Sequence, residues 1–176
     1  MKKLFLAAAF LAAAVFPACR SNVTENGEYI RKAVVVSVVS DAVTDKEKYG
    51  ATYQAVPVGV KKYSKQCEQY LVNGMKYLGY KKAEAPEKAD FIVEYSYDWV
   101  DARRRDTSVS LKFVRPGKER CVLWSAVCKC SSRKDAAVRS FLPGLTAGAL
   151  LFVGRTAHSR IRLANFPAMV NAVEGK

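Results

Sequence analysis

The chain has 176 residues, with 29 Lys and Arg against 16 Asp and Glu, and half of its residues are hydrophobic. That balance excludes a disordered or collagen-like chain, and the length excludes a large multidomain enzyme, leaving one globular domain. Five Cys and one His leave the compartment open until the N-terminus is read.

Lys2 and Lys3 precede an unbroken apolar run of thirteen residues, Leu4 to Phe16. A positive start and a run of that length fit a secretory signal and fall short of the about 20 residues a membrane span needs. Residues 1–18 are therefore expected to be a signal peptide. Phe16-Pro17-Ala18-Cys19 puts a small residue directly before a Cys, which resembles the bacterial lipobox, although that pattern prefers Leu where Phe16 stands and Ala or Ser where Pro17 stands. The resemblance implies a lipoprotein, with acyl chains such as palmitate on Cys19 as the mature N-terminus. Residues 19–32, polar and without apolar period, suit a tether. Cleavage after Ala12-Ala13-Ala14 is the alternative and would leave a soluble periplasmic protein.

The expected domain covers residues 33–170, with 171–176 as a tail. Arg20 to Asp101 holds twelve basic and twelve acidic residues, whereas Arg103 to Arg162 holds fourteen basic residues and only Asp106, Glu119 and Asp135. Such asymmetry points to an anionic partner. An exported chain does not meet nucleic acid, so the candidates are anionic lipid, lipopolysaccharide and peptidoglycan.

Ala33 to Val39 is a β-branched run too short for a helix and apolar on both sides, which predicts a strand buried on both faces. Tyr53 to Val58 adds a short extended piece. Tyr63, Cys67, Leu71, Met75 and Leu78 then recur every three or four residues, predicting an amphipathic helix stopped at Gly79. From Phe91 to Trp99 an aromatic face alternates with a mostly polar one, the signature of a half-buried strand. Val109, Leu111 and Phe113 alternate likewise, and Arg115-Pro116-Gly117-Lys118 turns the chain into Cys121 to Cys130. A hairpin of odd residue sum puts Leu111 and Phe113 on one face with Val122 and Trp124. Ser132 to Ala137 reads as a helix entry, with Pro143 tolerated near a helix start. Phe141 to Val153 is an apolar helix whose Gly144 and Gly148 give a flat strip for close packing, ended by Gly154. Ser159 to Leu163 is a last strand, and Pro167 breaks any element after it. The order predicts an α+β fold, a mostly antiparallel sheet with helices packed on one face.

Leu78-Gly79-Tyr80, Ala89 to Tyr95, Val122-Leu123-Trp124-Ser125-Ala126 and the helix from Leu142 to Gly154 occur in an order similar to that of an uncharacterised family of small bacterial envelope lipoproteins. The resemblance covers about the last hundred residues. It implies a lipoprotein and an α+β fold, and it carries no catalytic residue.

The chemistry on offer is sparse. His158, the single imidazole, lies in a polar stretch and would have to serve any Cys/His or Ser/His pair. Glu94 and Asp98 stand roughly 13 Å apart at strand rise, too far for a working carboxylate pair. With Cys19 acylated, Cys67, Cys121, Cys128 and Cys130 remain. Cys128 and Cys130, two apart on one strand, sit at the outer limit for bonding each other. They share the face expected beneath the helix carrying Cys67, so a disulfide from Cys67 to Cys128 or Cys130 stands beside buried thiols as an equal reading. No spacing suits a metal.

These readings converge on a membrane-anchored protein that is not an enzyme. It carries no cofactor beyond the lipid on Cys19, faces the periplasm from the outer membrane, and binds or assembles with anionic material or other envelope proteins. Arg20 lacks the acidic character that resemblance to inner-membrane retention signals would require. Arg103, Arg104, Arg105, Arg155, Arg160 and Arg162 are the expected anionic-surface residues, brought toward one end of the sheet. The alternative is a soluble periplasmic protein that binds a small apolar ligand between sheet and helix, against Tyr95, Tyr97 and Trp99.

Overall fold

The computed structural model describes residues 35–59, 64–101, 106–117, 120–131 and 138–176. Its strands are β1 (Val35–Ala42), β2 (Thr52–Pro57), β3 (Lys81–Lys82), β4 (Phe91–Asp101), β5 (Asp106–Arg115), β6 (Cys121–Ser131) and β7 (Ala157–Arg162), and its helices α1 (Ser64–Tyr77), α2 (Val138–Leu150) and α3 (Pro167–Glu174). The seven strands form one sheet in the order β3-β2-β4-β5-β6-β1-β7. β2 runs parallel to β3 and β4, and the other pairings are antiparallel. The α+β architecture matches the sequence reading.

The core lies between one sheet face and the helices. Phe91, Val93, Tyr95 and Tyr97 of β4, Val109, Leu111 and Phe113 of β5, and Trp124, Ala126 and Cys128 of β6 are buried there with Val36 and Val38 of β1. Phe91, Phe113 and Trp124 form an aromatic spine across three strands, with ring centroids 4.9 Å and 4.8 Å apart. Helix α1 packs over β2, β3 and β4, α2 packs over β5, β6 and β1, and the three helices pack on one another. Gly74 of α1 marks their meeting point, since a Cβ there would lie 2.3 Å from Leu150 of α2 and 2.9 Å from Val173 of α3. The glycine strip of α2 serves close packing as expected: a Cβ on Gly148 would lie 2.8 Å from Cys128 Sγ, and one on Gly144 2.6 Å from Leu163.

Several expectations are corrected. β1 is buried on one face only: Val36 and Val38 are fully enclosed, whereas Val35 and Val39 are 49% and 51% exposed. A register shift between Phe113 and Val114 pairs Val114 with Val122, so Val122 leaves the Trp124 face. Pro143 stands inside α2 rather than at its start. Pro167 opens α3, where a proline's missing N–H is one of the donors a helix start leaves unpaired. Of residues 171–176, expected as a tail, 171–174 complete that helix with Val173 buried, and Gly175 caps it.

Asp90 fastens the entry to β4 against β2. Its carboxylate accepts from the Ala51 N–H at 2.9 Å and from the Thr52 N–H and hydroxyl at 2.8 Å each. Those bonds hold the Asp90 carboxyl below its ordinary range, the Thr52 backbone contributing most. Gly50 has φ +92°, and a Cβ there would lie 2.4 Å from Asp90 Cβ, so both backbone angle and space demand glycine.

Candidate functional site

The three described helices share the core side of the sheet, which leaves the opposite face to solvent along β6, β1 and β7. Strand alternation decides which side chains stand there. In β7, Ala157, Ser159 and Ile161 are half-buried toward the core, while His158, Arg160 and Arg162 are exposed. Register carries the row onward: Arg160 pairs with Ser37, which pairs with Lys129, while Arg162 pairs with Val35 and His158 with Val39. Lys129 is exposed and Val127, paired with Val39, is half-buried. Arg160 and Arg162 therefore stand about 7 Å apart along the strand, and Arg160 and Lys129 about 10 Å apart across two strand spacings. Three cations thus surround a strip formed by Val35, Val39 and Val127.

Towards β4 the same face changes character. Ser108 is buried and donates from its hydroxyl to the Asp98 carbonyl, and Ser96 donates to the Asp98 carboxylate at 3.1 Å. A Cβ on Gly59 would lie 3.9 Å from Ser96 Cβ and 4.0 Å from Asp98 Oδ1. Glu94 is paired with Arg120. Among the described side chains the acids of this face are Glu94 and Asp98 on β4 and Asp41 at the far end of β1, which accepts a hydrogen bond from Thr156 at 3.3 Å. Lys112 of β5 stands opposite Glu94, and Lys129, Arg160 and Arg162 stand on β6 and β7. Glu94 and Asp98, engaged with Arg120 and Ser96, are a tied-down polar edge.

Of the expected anionic-surface residues, Arg160 and Arg162 share this face. Arg155 does not join them, because it lies before β7 at the opposite end of the strand from Arg162. There its carbonyl accepts from the Ser40 hydroxyl at 2.8 Å and from Trp124 Nε1 at 3.3 Å. Arg103, Arg104 and Arg105 lie outside the described residues. The strands on either side of them end at Asp101 and Asp106, which pair with each other, and Asp106 pairs with Ser131 at the end of β6 adjoining Val35 and Arg162. Cys19 is also outside the described residues. Lys129, Val35 and Val39 were missed by the sequence reading. The signal for Lys129 was its position between two buried neighbours, Cys128 and Cys130, which forces it outward.

The cysteines are placed differently from the expected pairing. Cys67 sits on α1, near Tyr95 of β4, and burial pushes its thiol up to about 11. Cys128 lies beneath Gly148 of α2, two strands from β4 through Val109 and Tyr97. The structure holds Cys67, Cys121 and Cys128 as free thiols. The physical reason is that α2, not α1, covers β6. Burial raises the Cys128 thiol far above its ordinary value, with Cys130 adding to the effect, so neither buried thiol is a nucleophile at neutral pH. Cys130 is buried on the same strand. Among the described residues no His, Cys, Asp and Glu converge in a group able to hold a metal. Nor is any helix among them long and apolar enough to cross a membrane.

Fold and face together define a class: a mixed sheet backed by helices on one side, with a basic, valine-centred surface on the other. No family model matches the chain, and no curated protein does. Among solved structures it is similar to a PelC dodecamer from Paraburkholderia phytofirmans at 13% identity and a TM-score of 0.43, over 68% of this chain and 98% of that one. A DUF4136 family protein from Bacteroides thetaiotaomicron is 13% identical, with a TM-score of 0.48 over 66% of this chain and 93% of that one. A PDZ domain protein from Parabacteroides distasonis is 11% identical, with a TM-score of 0.46 over 73% of this chain and 38% of its own.

Proposed function

We propose that this protein is a lipid-anchored component of the bacterial envelope, held by acyl chains on Cys19 at the periplasmic face of the outer membrane. Its role is to bind or assemble rather than to catalyse. Its basic surface takes anionic envelope material, meaning phospholipid headgroups, lipopolysaccharide phosphates or peptidoglycan carboxylates. The observation that carries this reading is the row Arg160, Ser37, Lys129 with Arg162 beside it, on a sheet face that no described helix covers. Clustered cations add their attraction within a Debye length of roughly 8 Å at physiological salt, and scattered ones do not. The rival reading, an apolar ligand between sheet and helix, meets a core in which Tyr95, Tyr97, Leu142 and Leu145 are already packed together.

Two measurements test the proposal. Cys19→Ala should move the protein from the membrane to the soluble fraction, and mass spectrometry should find the mature N-terminus at an acylated Cys19. A soluble protein beginning at Val15 would refute the anchor. Separately, residues 20–176 should bind anionic envelope preparations in a salt-sensitive way, and replacing Arg103, Arg104 and Arg105 by Ser should weaken that binding. Binding indifferent to both salt and the substitutions would leave the charge without a partner.

A further inference from the structure

Resting on the basic envelope surface just proposed, we infer that the open face of β6, β1 and β7 lies flat on an anionic phospholipid bilayer. Lys129, Arg160 and Arg162 meet the headgroups, and Val35 and Val39 settle between them. The face has the two features such a surface requires. Its charge is complementary to phosphate, for Lys129, Arg160 and Arg162 stand together while Glu94, Asp98 and Asp41 are engaged with Arg120, Ser96 and Thr156. Its centre is apolar and half-exposed, which costs free energy in water and is relieved when headgroups and upper acyl carbons replace it.

A second copy of the chain does not fit the same face. Stacking two such faces would set Arg160, Arg162 and Lys129 against their own counterparts, and like charges brought together oppose association. The path of the chain favours the bilayer. β1 begins at Val35, inside the patch and opposite Arg162, so the described sheet joins the preceding segment, which carries Cys19, at the basic end of this face. An anchor on that segment would bring this end of the sheet to the membrane first. Arg155 takes no part, standing at the other end of β7.

The whole described sheet and core come from residues 35–176, so residues 20–176, which lack both signal and acylated cysteine, serve for the test. Binding is measured by sedimentation with vesicles of phosphatidylglycerol and phosphatidylcholine, with vesicles of phosphatidylcholine alone, with lipopolysaccharide and with peptidoglycan sacculi. The expected result is binding to the anionic vesicles that weakens about fivefold for each charge removed. The triple change Lys129→Ser, Arg160→Ser and Arg162→Ser should therefore cost roughly 100-fold. Val39→Ser should weaken binding by a few fold, and Arg155→Ser by less than about twofold. Should the triple variant fail to keep the parent's urea midpoint, Arg160→Glu alone carries the test, with an expected loss of roughly 25-fold. Anionic binding that survives these changes overturns the orientation while leaving the broader basic-surface reading intact. Binding to lipopolysaccharide or sacculi with none to phosphatidylglycerol vesicles overturns the bilayer as occupant. No binding to any anionic probe overturns both readings.

Discussion

Replacing Gly148 by Ala sets two opposing terms against each other. In an unobstructed helix interior the change gains about 0.8–1 kcal/mol of helix propensity. Here the new methyl would lie 2.8 Å from Cys128 Sγ and 3.2 Å from Val36 Cγ2. Neither neighbour can retreat easily, because β6 is bonded to β5 and β1 on its two sides and β1 to β6 and β7. Overpacking a filled core costs about 1–3 kcal/mol, so Gly148→Ala should destabilise the protein by roughly 1 kcal/mol net. Cys128→Ala removes the closer obstacle. In that background only the 3.2 Å contact with Val36 remains, and Gly148→Ala should become neutral or stabilise by a few tenths of a kcal/mol, approaching its helical gain. The coupling between the two sites is then about 1 kcal/mol, well above the 0.3–0.5 kcal/mol within which independent sites add. Urea unfolding of the four proteins under reducing conditions, with comparable m-values, reads it directly. If the two changes add, or if Gly148→Ala alone stabilises, the close seating of α2 on β6 and β1 is wrong.

Asp90→Ala should cost about 1 kcal/mol near neutrality, a figure reduced for solvent screening at this exposed site. The Asp90 carboxyl is held below 3.8 in the folded protein, so its contribution is complete above that value and disappears as pH falls through the lower folded pKa. The stability gap between parent and variant should accordingly be constant from pH 7 to 5 and close below about pH 4. A gap unchanged at pH 2.5 would contradict the hydrogen-bonded carboxylate. Cys121 is exposed, whereas Cys67 and Cys128 are buried. A thiol reagent at pH 7.5 should therefore label Cys121 quickly and reach Cys67 and Cys128 only on unfolding. Peptide mapping that finds Cys67 bonded to Cys128 would restore the pairing that the helix placement argues against.

The alternation from Phe91 to Trp99 and the Pro116-Gly117 turn made β4, β5 and β6 legible, because local pattern and turn chemistry agree there. The helix through Cys67, Leu71 and Met75 was equally plain from its period. The one-sided burial of β1 was not, since a run of valines carries no polar alternate to say which side faces water. Nor was the parallel pairing of β2 with β4, a non-local choice made by a short strand ending in proline. Arg160 and Arg162 could be placed on one face from their spacing alone. Lys129 could not join them, because its nearness to Arg160 depends on β1 lying between β6 and β7.

The position of β1 between β6 and β7 bears on how the chain is made. Its hydrogen-bonding partners are Trp124 to Lys129 on one side and Ala157 to Arg162 on the other, all far downstream. During synthesis from the N-terminus, the valine-rich strand emerges early and waits for most of the remaining chain before either edge can be satisfied. Until then its stretch from Val35 to Ser40 is a sticky, uncharged template of the kind that recruits other extended chains. Nascent copies crowded together would meet at β1 first. A stop codon upstream of residue 157 would leave that hazard permanent, with β1 as the bare margin of a sheet missing its last strand.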